Sequence, residues 1–124
     1  MPELAAGGLW STPSDLAKLL IDIGRAYRSD GGMLLSHEMA VSMLTRQNGG
    51  PYGLGAAIVG AGDNLALMKR GQNIGYQSYM LIFPHTGQGI VVVTGSDNGT
   101  TLSTALIQRA AAVYSWPPLD TLPD

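Results

Sequence analysis

The chain contains no cysteine. Disulfides and thiolate metal sites are therefore excluded, and the redox compartment is left open. It has only two histidines, His37 and His85, far apart and without metal-ligand spacing. Both read as solvated or locally bonded side chains, and no cofactor is expected. Charge is scarce, with 13% charged residues, seven scattered cations and a net charge of −2. A nucleic-acid partner would need a clustered basic face, which this pattern lacks. No apolar run reaches the roughly 18 residues of a membrane span. No charged n-region followed by an apolar h-region marks a signal peptide. No serine has a lysine three residues on, and no Gly-x-Ser-x-Gly elbow occurs, so these residues alone hold no nucleophile–base pair.

The 124 residues suit one domain, and the 45% apolar fraction suits a packed core. Seventeen glycines and seven prolines divide the chain into short elements. Thr12-Pro13-Ser14-Asp15 reads as a helix start, with Thr12 as cap, Pro13 as first helical residue and Asp15 at the positive end of the dipole. Leu16, Leu19, Leu20, Ile23 and Tyr27 follow at helical spacing, and Asp30-Gly31-Gly32 ends the helix. Asp15, Asp22 and Asp30 are expected at its cap or on its solvated side. Ser36 caps a shorter helix carrying Met39, Ala40, Met43 and Leu44. Strands are expected over Tyr52–Val59, Leu65–Lys69, Tyr76–Phe83 and Gly89–Thr94, with a hairpin turn at 84–88. A last helix runs from about Thr101 to Tyr114, with Leu102, Leu106, Ala110 and Val113 on its apolar face. The fold class is α+β, sandwich-like: an antiparallel sheet of about four strands, a C-terminal helix on one face and two N-terminal helices. The domain spans 1–116, and 117–124 reads as a loose tail.

Met80-Leu81-Ile82-Phe83 and Ile90-Val91-Val92-Val93 are apolar at every position. An antiparallel strand with one wet face alternates, so both faces of this sheet must be covered. Two short helices are thin cover for four strands. The expectation is that part of the covering surface lies outside this chain, with a homodimer through uncovered apolar faces as one solution.

The run Lys69-Arg70-Gly71-Gln72-Asn73-Ile74-Gly75-Tyr76-Gln77-Ser78-Tyr79 carries the most chemistry. Two adjacent cations end a strand, and a glycine-rich turn is expected to follow. Cations there can meet an anionic group, and glycines let backbone N–H groups approach a ligand. Cations at a strand edge can equally serve only to discourage edge pairing.

Several ordered motifs resemble the C-terminal part of the serine β-lactamase and penicillin-binding-protein superfamily, in its class C, DD-peptidase and esterase branch. Gly7-Gly8-Leu9-Trp10-Ser11-Thr12-Pro13-Ser14-Asp15-Leu16-Ala17 resembles the family's helix-opening segment. Tyr52-Gly53-Leu54-Gly55 is similar to its Tyr-Gly-Leu-Gly strand. Lys69-Arg70-Gly71 stands in the place of its Lys-Thr-Gly or His-x-Gly motif, and Gly75-Tyr76-Gln77-Ser78 resembles the start of the next strand. Ile90–Thr94 with Ser96-Asp97-Asn98-Gly99 resembles its last strand and loop. The resemblance implies acyl transfer on a β-lactam, D-Ala-D-Ala peptide or ester in a longer parent protein. There Lys69 would support the proton network, and the backbone N–H of Gln72 would donate to the oxyanion. Arg70, Gly71 and Asn73 would bind substrate, with Gly71 leaving it room. Arg70 departs from the usual small hydroxyl residue. The Ser-x-x-Lys and Tyr-x-Asn motifs are missing, so the 124 residues are expected to be inactive alone. A periplasmic or secreted location is what family membership implies.

Overall fold

The computed structural model describes residues 7–28 and 31–119. Helix α1, Pro13–Arg28, opens with the expected reciprocal cap: the Asp15 N–H donates to Thr12 Oγ1, whose hydroxyl donates to the Asp15 carboxylate, both at 3.1 Å. Helix α2, His37–Met43, is capped by Ser36, which accepts the Met39 N–H at 3.2 Å. Four strands follow: β1 Ala57–Val59, β2 Ala66–Asn73, β3 Tyr76–Phe83 and β4 Gln88–Thr94. They form one antiparallel sheet in sequence order. Helix α3, Gly99–Tyr114, closes the fold.

Two strand boundaries differ from expectation. Over Tyr52–Val59 only Ala57–Val59 pairs continuously, and Tyr52 meets Ala57 in an isolated bridge. The intervening residues turn instead: the Gly53 N–H donates to Ala56 O, the Leu54 N–H to Met43 O, and Gly55 has φ 82°. Strand β2 runs past Lys69 to Asn73, so the turn shrinks to Ile74 and Gly75, the latter at φ 76°. Gly71 stays in the ladder, directly across from Ser78 on β3.

Helices lie on both faces of the sheet, while β4 stays only partly buried. On one face Met68, Tyr79, Leu81, Phe83 and Val92 pack under Ile107 of α3. On the other, Ile58, Leu67 and Ile82 meet Leu20 and Ile23 of α1 and Leu44 after α2. Gly24 makes the close α1 approach possible, since a Cβ there would stand 2.9 Å from the Ile82 side chain. Of the apolar stripe expected on α3, only Ala110 packs against the core. Gly99, Ser103 and Ile107 face the sheet, while Leu102, Leu106 and Val113 are exposed. Small size decided this: Gly99 lies so close to Thr94 that no Cβ would fit. Trp116 is buried edge-to-face on Phe83 at 5.5 Å, and Leu119 packs against the same cluster. Residues 120–124 of the expected tail lie outside the described residues, as does Asp30.

Candidate functional site at the open edge of β2

Strand β1 pairs with β2 only as far as Met68. From Lys69 to Asn73 the outer edge of β2 therefore has no neighbouring strand. Hydrogen-bonded and non-hydrogen-bonded pairs alternate along an antiparallel ladder. With Asn73–Tyr76 closing the two-residue turn as a bonded pair, Gln72–Gln77 and Arg70–Tyr79 become non-bonded pairs. The backbone N–H and C=O of Gln72 and Arg70 then point outward, away from β3.

The pleat separates the two cations. Lys69 falls on the α1–α2 face with Leu67 and Gly71, and Arg70 on the α3 face with Met68 and Gln72. A cavity of about 460 Å³ wraps this edge and is lined from both faces, by Lys69, Gly71 and Ser78 on one side and Arg70, Gln72, Tyr79, Thr100 and Ser103 on the other. The structure thus brings Lys69, Arg70, Gly71 and Gln72 to one cavity. Asn73 stands one residue beyond it, where its side chain accepts the Ile74 N–H at 2.9 Å.

Several polar groups here are not consumed by internal bonds. Neither cation has a hydrogen bond or ion pair among the described residues. Ser103 is 3% exposed, yet its hydroxyl has no partner among the described residues. The hydroxyl is reached from the cavity it lines, where a ligand group can pair with it. Beside it, Gln77 is fully used: its amide donates to Asp97 O and accepts from the Thr100 hydroxyl. Asp97 also accepts the Gly75 N–H at 2.7 Å, so the loop after β4 is tied to the β2–β3 turn. Burial pushes the Tyr79 phenol up to about 12, with the charge of Arg70 across the strand pulling the other way. Its hydroxyl is turned to the Met68 sulfur.

Sequence reasoning gave no role to Thr100, Ser103 or Tyr79. The available signal was Gly99 followed by hydroxyl residues three apart, a pattern that lines one side of a helix's first turns. His37 Nδ1 is 3.0 Å from Ala26 O, and His85 packs edge-to-face on Tyr27, so each is locally engaged. Asp22 is not merely solvated: its carboxylate accepts the Met33 and Leu34 N–H groups at 2.7 and 3.0 Å. Among the described residues no three metal-ligating side chains cluster, and no helix is long and apolar enough to cross a membrane.

The site is thus an antiparallel sheet between helices, with a Lys-x-Gly strand whose outer edge opens on a polar cavity. The beta-lactamase family model matches residues 1–115, and the chain belongs to that family. Two solved structures share its fold. One, titled "Crystal structure of SurE", is 22% identical with a TM-score of 0.72 and covers 92% of this chain. The other, titled "Crystal structure of SurE with D-Leu", is 22% identical with a TM-score of 0.73 and covers 90%. The matched region is only 29% and 28% of those chains, so this chain spans less than a third of their length. No curated protein is a significant match.

Proposed function

We propose that the chain supplies the third-motif strand and oxyanion wall of a serine hydrolase of the class C, DD-peptidase and esterase branch. The observation that carries this reading is the open outer edge of β2 from Lys69 to Asn73, set beside a cavity with unpartnered donors. A substrate's scissile carbonyl lies along that edge, and the outward N–H of Gln72 donates to its developing oxyanion. One such donor contributes about 3 kcal/mol to the transition state. The ammonium of Lys69 favours a nearby deprotonated hydroxyl and so supports proton transfer from a nucleophile. Arg70 holds a substrate carboxylate by paired N–H groups, with the Ser103 hydroxyl as a further donor. Gly71 and Asn73 line the substrate backbone. A carboxylate-bearing apolar residue such as the D-Leu named for one related fold would satisfy the Arg70 side of this arrangement.

These residues hold no Ser-x-x-Lys pair, so acylation is left to a partner segment of a longer parent protein. The 124 residues should turn over neither nitrocefin nor a p-nitrophenyl ester. Turnover with a serine-bound acyl group, seen by intact mass, would overturn the reading. N-acetylglycine should perturb the amide resonances of Arg70, Gln72 and Ser103, and Arg70→Ala should remove the effect.

A second reading is a self-associating module. It is favoured by β4, an edge strand without charge or proline over Gln88–Thr94, flanked by the exposed Leu102, Leu106 and Val113 of α3. Such an edge is a template for pairing. A doubled solution mass that returns to 13.0 kDa in Val93→Lys would support it. A monomer at every concentration would exclude it.

A further inference from the structure

The loop between α2 and β1 holds a reactive pair with no role in the reading above. Gln47 to Gly50 form a tight turn, closed by the Gly50 N–H on Gln47 O at 2.9 Å. Both central residues have positive φ, Asn48 at 52° and Gly49 at 72°, which makes the turn type I′. Both are exposed. Neither the Asn48 carboxamide nor the Gly49 N–H has a hydrogen-bond partner among the described residues. No heavy atom stands within 4 Å of where a Gly49 Cβ would be. The carboxamide carbon and the next amide nitrogen are thus neighbours with no side chain to shield them. Of the four asparagines in the chain, Asn48 alone combines these conditions. Asn64 and Asn73 precede Leu65 and Ile74, whose side chains crowd the following nitrogen. Asn98 also precedes a glycine, but the Gly99 N–H donates to Ser96 O at 3.2 Å and Gly99 is buried at the start of α3.

We propose that Asn48 is a site of spontaneous modification, losing its side-chain amide through a cyclic imide closed by the Gly49 nitrogen. That nitrogen gives up its proton and bonds to Asn48 Cγ. The Cγ–Nδ2 bond breaks, and Nδ2 leaves as ammonia with the proton. Water then opens the ring at either carbonyl, its hydroxyl going to carbon and its proton to nitrogen. Opening at Cγ gives an aspartyl residue. Opening at the main-chain carbonyl gives an isoaspartyl residue, whose chain runs through Cβ and Cγ. Ring closure requires Asn48 to leave the turn geometry, against the single Gly50–Gln47 bond. At Asn98 the same motion must unravel the start of α3, where Gly99 is pressed against Thr94 and Gln77. The two products differ in consequence. Aspartate tolerates positive φ as asparagine does, so the aspartyl form keeps the turn. The isoaspartyl form adds a backbone carbon to a turn whose register is set by the Gln47 N–H on Tyr52 O at 2.8 Å. Tyr52 lines the cavity at the β2 edge. The isoaspartyl form therefore frees one residue of the cavity wall, whatever the cavity binds.

The test is to age the intact 124-residue chain at neutral and at mildly acidic pH, folded and in urea, following each asparagine by peptide mass and fragmentation. In urea Asn48 and Asn98, both followed by glycine, should convert at similar rates. In the folded chain Asn48 should convert at least about tenfold faster than Asn98, a barrier difference of about 1.4 kcal/mol. Its rate should rise with pH, because the attacking nitrogen must lose its proton. Asn48→Gly keeps the positive φ and removes the carboxamide, so it should end the charge heterogeneity of aged folded protein. Comparable rates at Asn48 and Asn98 in the folded chain, or a rate at Asn48 that ignores pH, overturn the inference. The isoaspartyl fraction, separated by ion exchange, should show displaced Gln47 and Tyr52 amide resonances, while Asn48→Asp should leave both in place. An unmoved Tyr52 in the isoaspartyl fraction overturns the link to the cavity.

Discussion

Gly71 on β2 faces Ser78 on β3 so closely that a Cβ at 71 would collide with the Ser78 hydroxyl. The glycine that a ligand-centred view reserves for the substrate is thus met first by the strand's own neighbour. Gly71→Ala should destabilise the domain by no more than about 1 kcal/mol, because the Ser78 hydroxyl can rotate to another staggered position to admit the methyl. Ser78→Ala in the same chain should recover most of the loss. Denaturant midpoints for the two single variants and the double variant give the coupling; simple additivity would refute the contact as the cause.

The Tyr79 phenol gives a pH signature. Its folded-state value, about 12, lies above the ordinary 10.0. Between those values the unfolded chain has lost the proton that the folded chain keeps, so stability falls as pH rises from 10 to 12 and is fully present below 10. The loss should reach at most about 2 kcal/mol. Tyr79→Phe should abolish its share of this slope, and Arg70→Ala should move the Tyr79 titration higher still. Phenolate absorbance in the wild type minus Tyr79→Phe reads both effects.

Asp22 on α1 holds the turn before α2 through two backbone N–H groups. Removing the acceptor orphans both. Asp22→Ala should cost about 1–3 kcal/mol and raise hydrogen exchange at Met33 and Leu34. Unchanged exchange at those two amides would contradict this role.

Trp116 is buried, and its indole N–H has no partner among the described residues. A ring without that donor avoids the penalty. Trp116→Phe should therefore lie within about 1 kcal/mol of the wild type, whereas Trp116→Ala should lose about 3–5 kcal/mol with the Phe83 contact. Thermal unfolding of the two variants separates ring packing from the orphaned donor.

Local chemistry was the legible part of this sequence. The Thr12–Asp15 cap, the Ser36 cap, strand β3 and the all-apolar β3–β4 pair each follow from short-range patterns, and the structure reproduces them. What failed depended on neighbours distant in sequence. Gly71 and the residues after it read as a turn because glycine disfavours strands, but cross-strand pairing to Ser78 keeps the ladder going. The apolar stripe Leu102–Leu106–Val113 has the right period for burial, yet steric access at Gly99 turned the helix to present Ser103 and Ile107. Lys69 and Arg70 were legible as an adjacent pair of cations on one strand. Their division between two faces became visible only with the extended strand. Ser103 carries no motif, and only its place in the cavity wall marks it.

The clasp made by Asp97 and Gln77 sets how the cavity can respond to a visitor. Asp97 holds Gly75, Gln77 holds both Asp97 and Thr100, and Thr94 holds the Gln77 carbonyl. The turn, the loop and the first turn of α3 are thus riveted into a single corner. That wall has no independent panel to swing aside, so an oversized guest must lift the whole corner or stay out. Tolerance to ligand size should end in a sharp cutoff, and the Gly75 amide resonance would register the corner lifting as a single event.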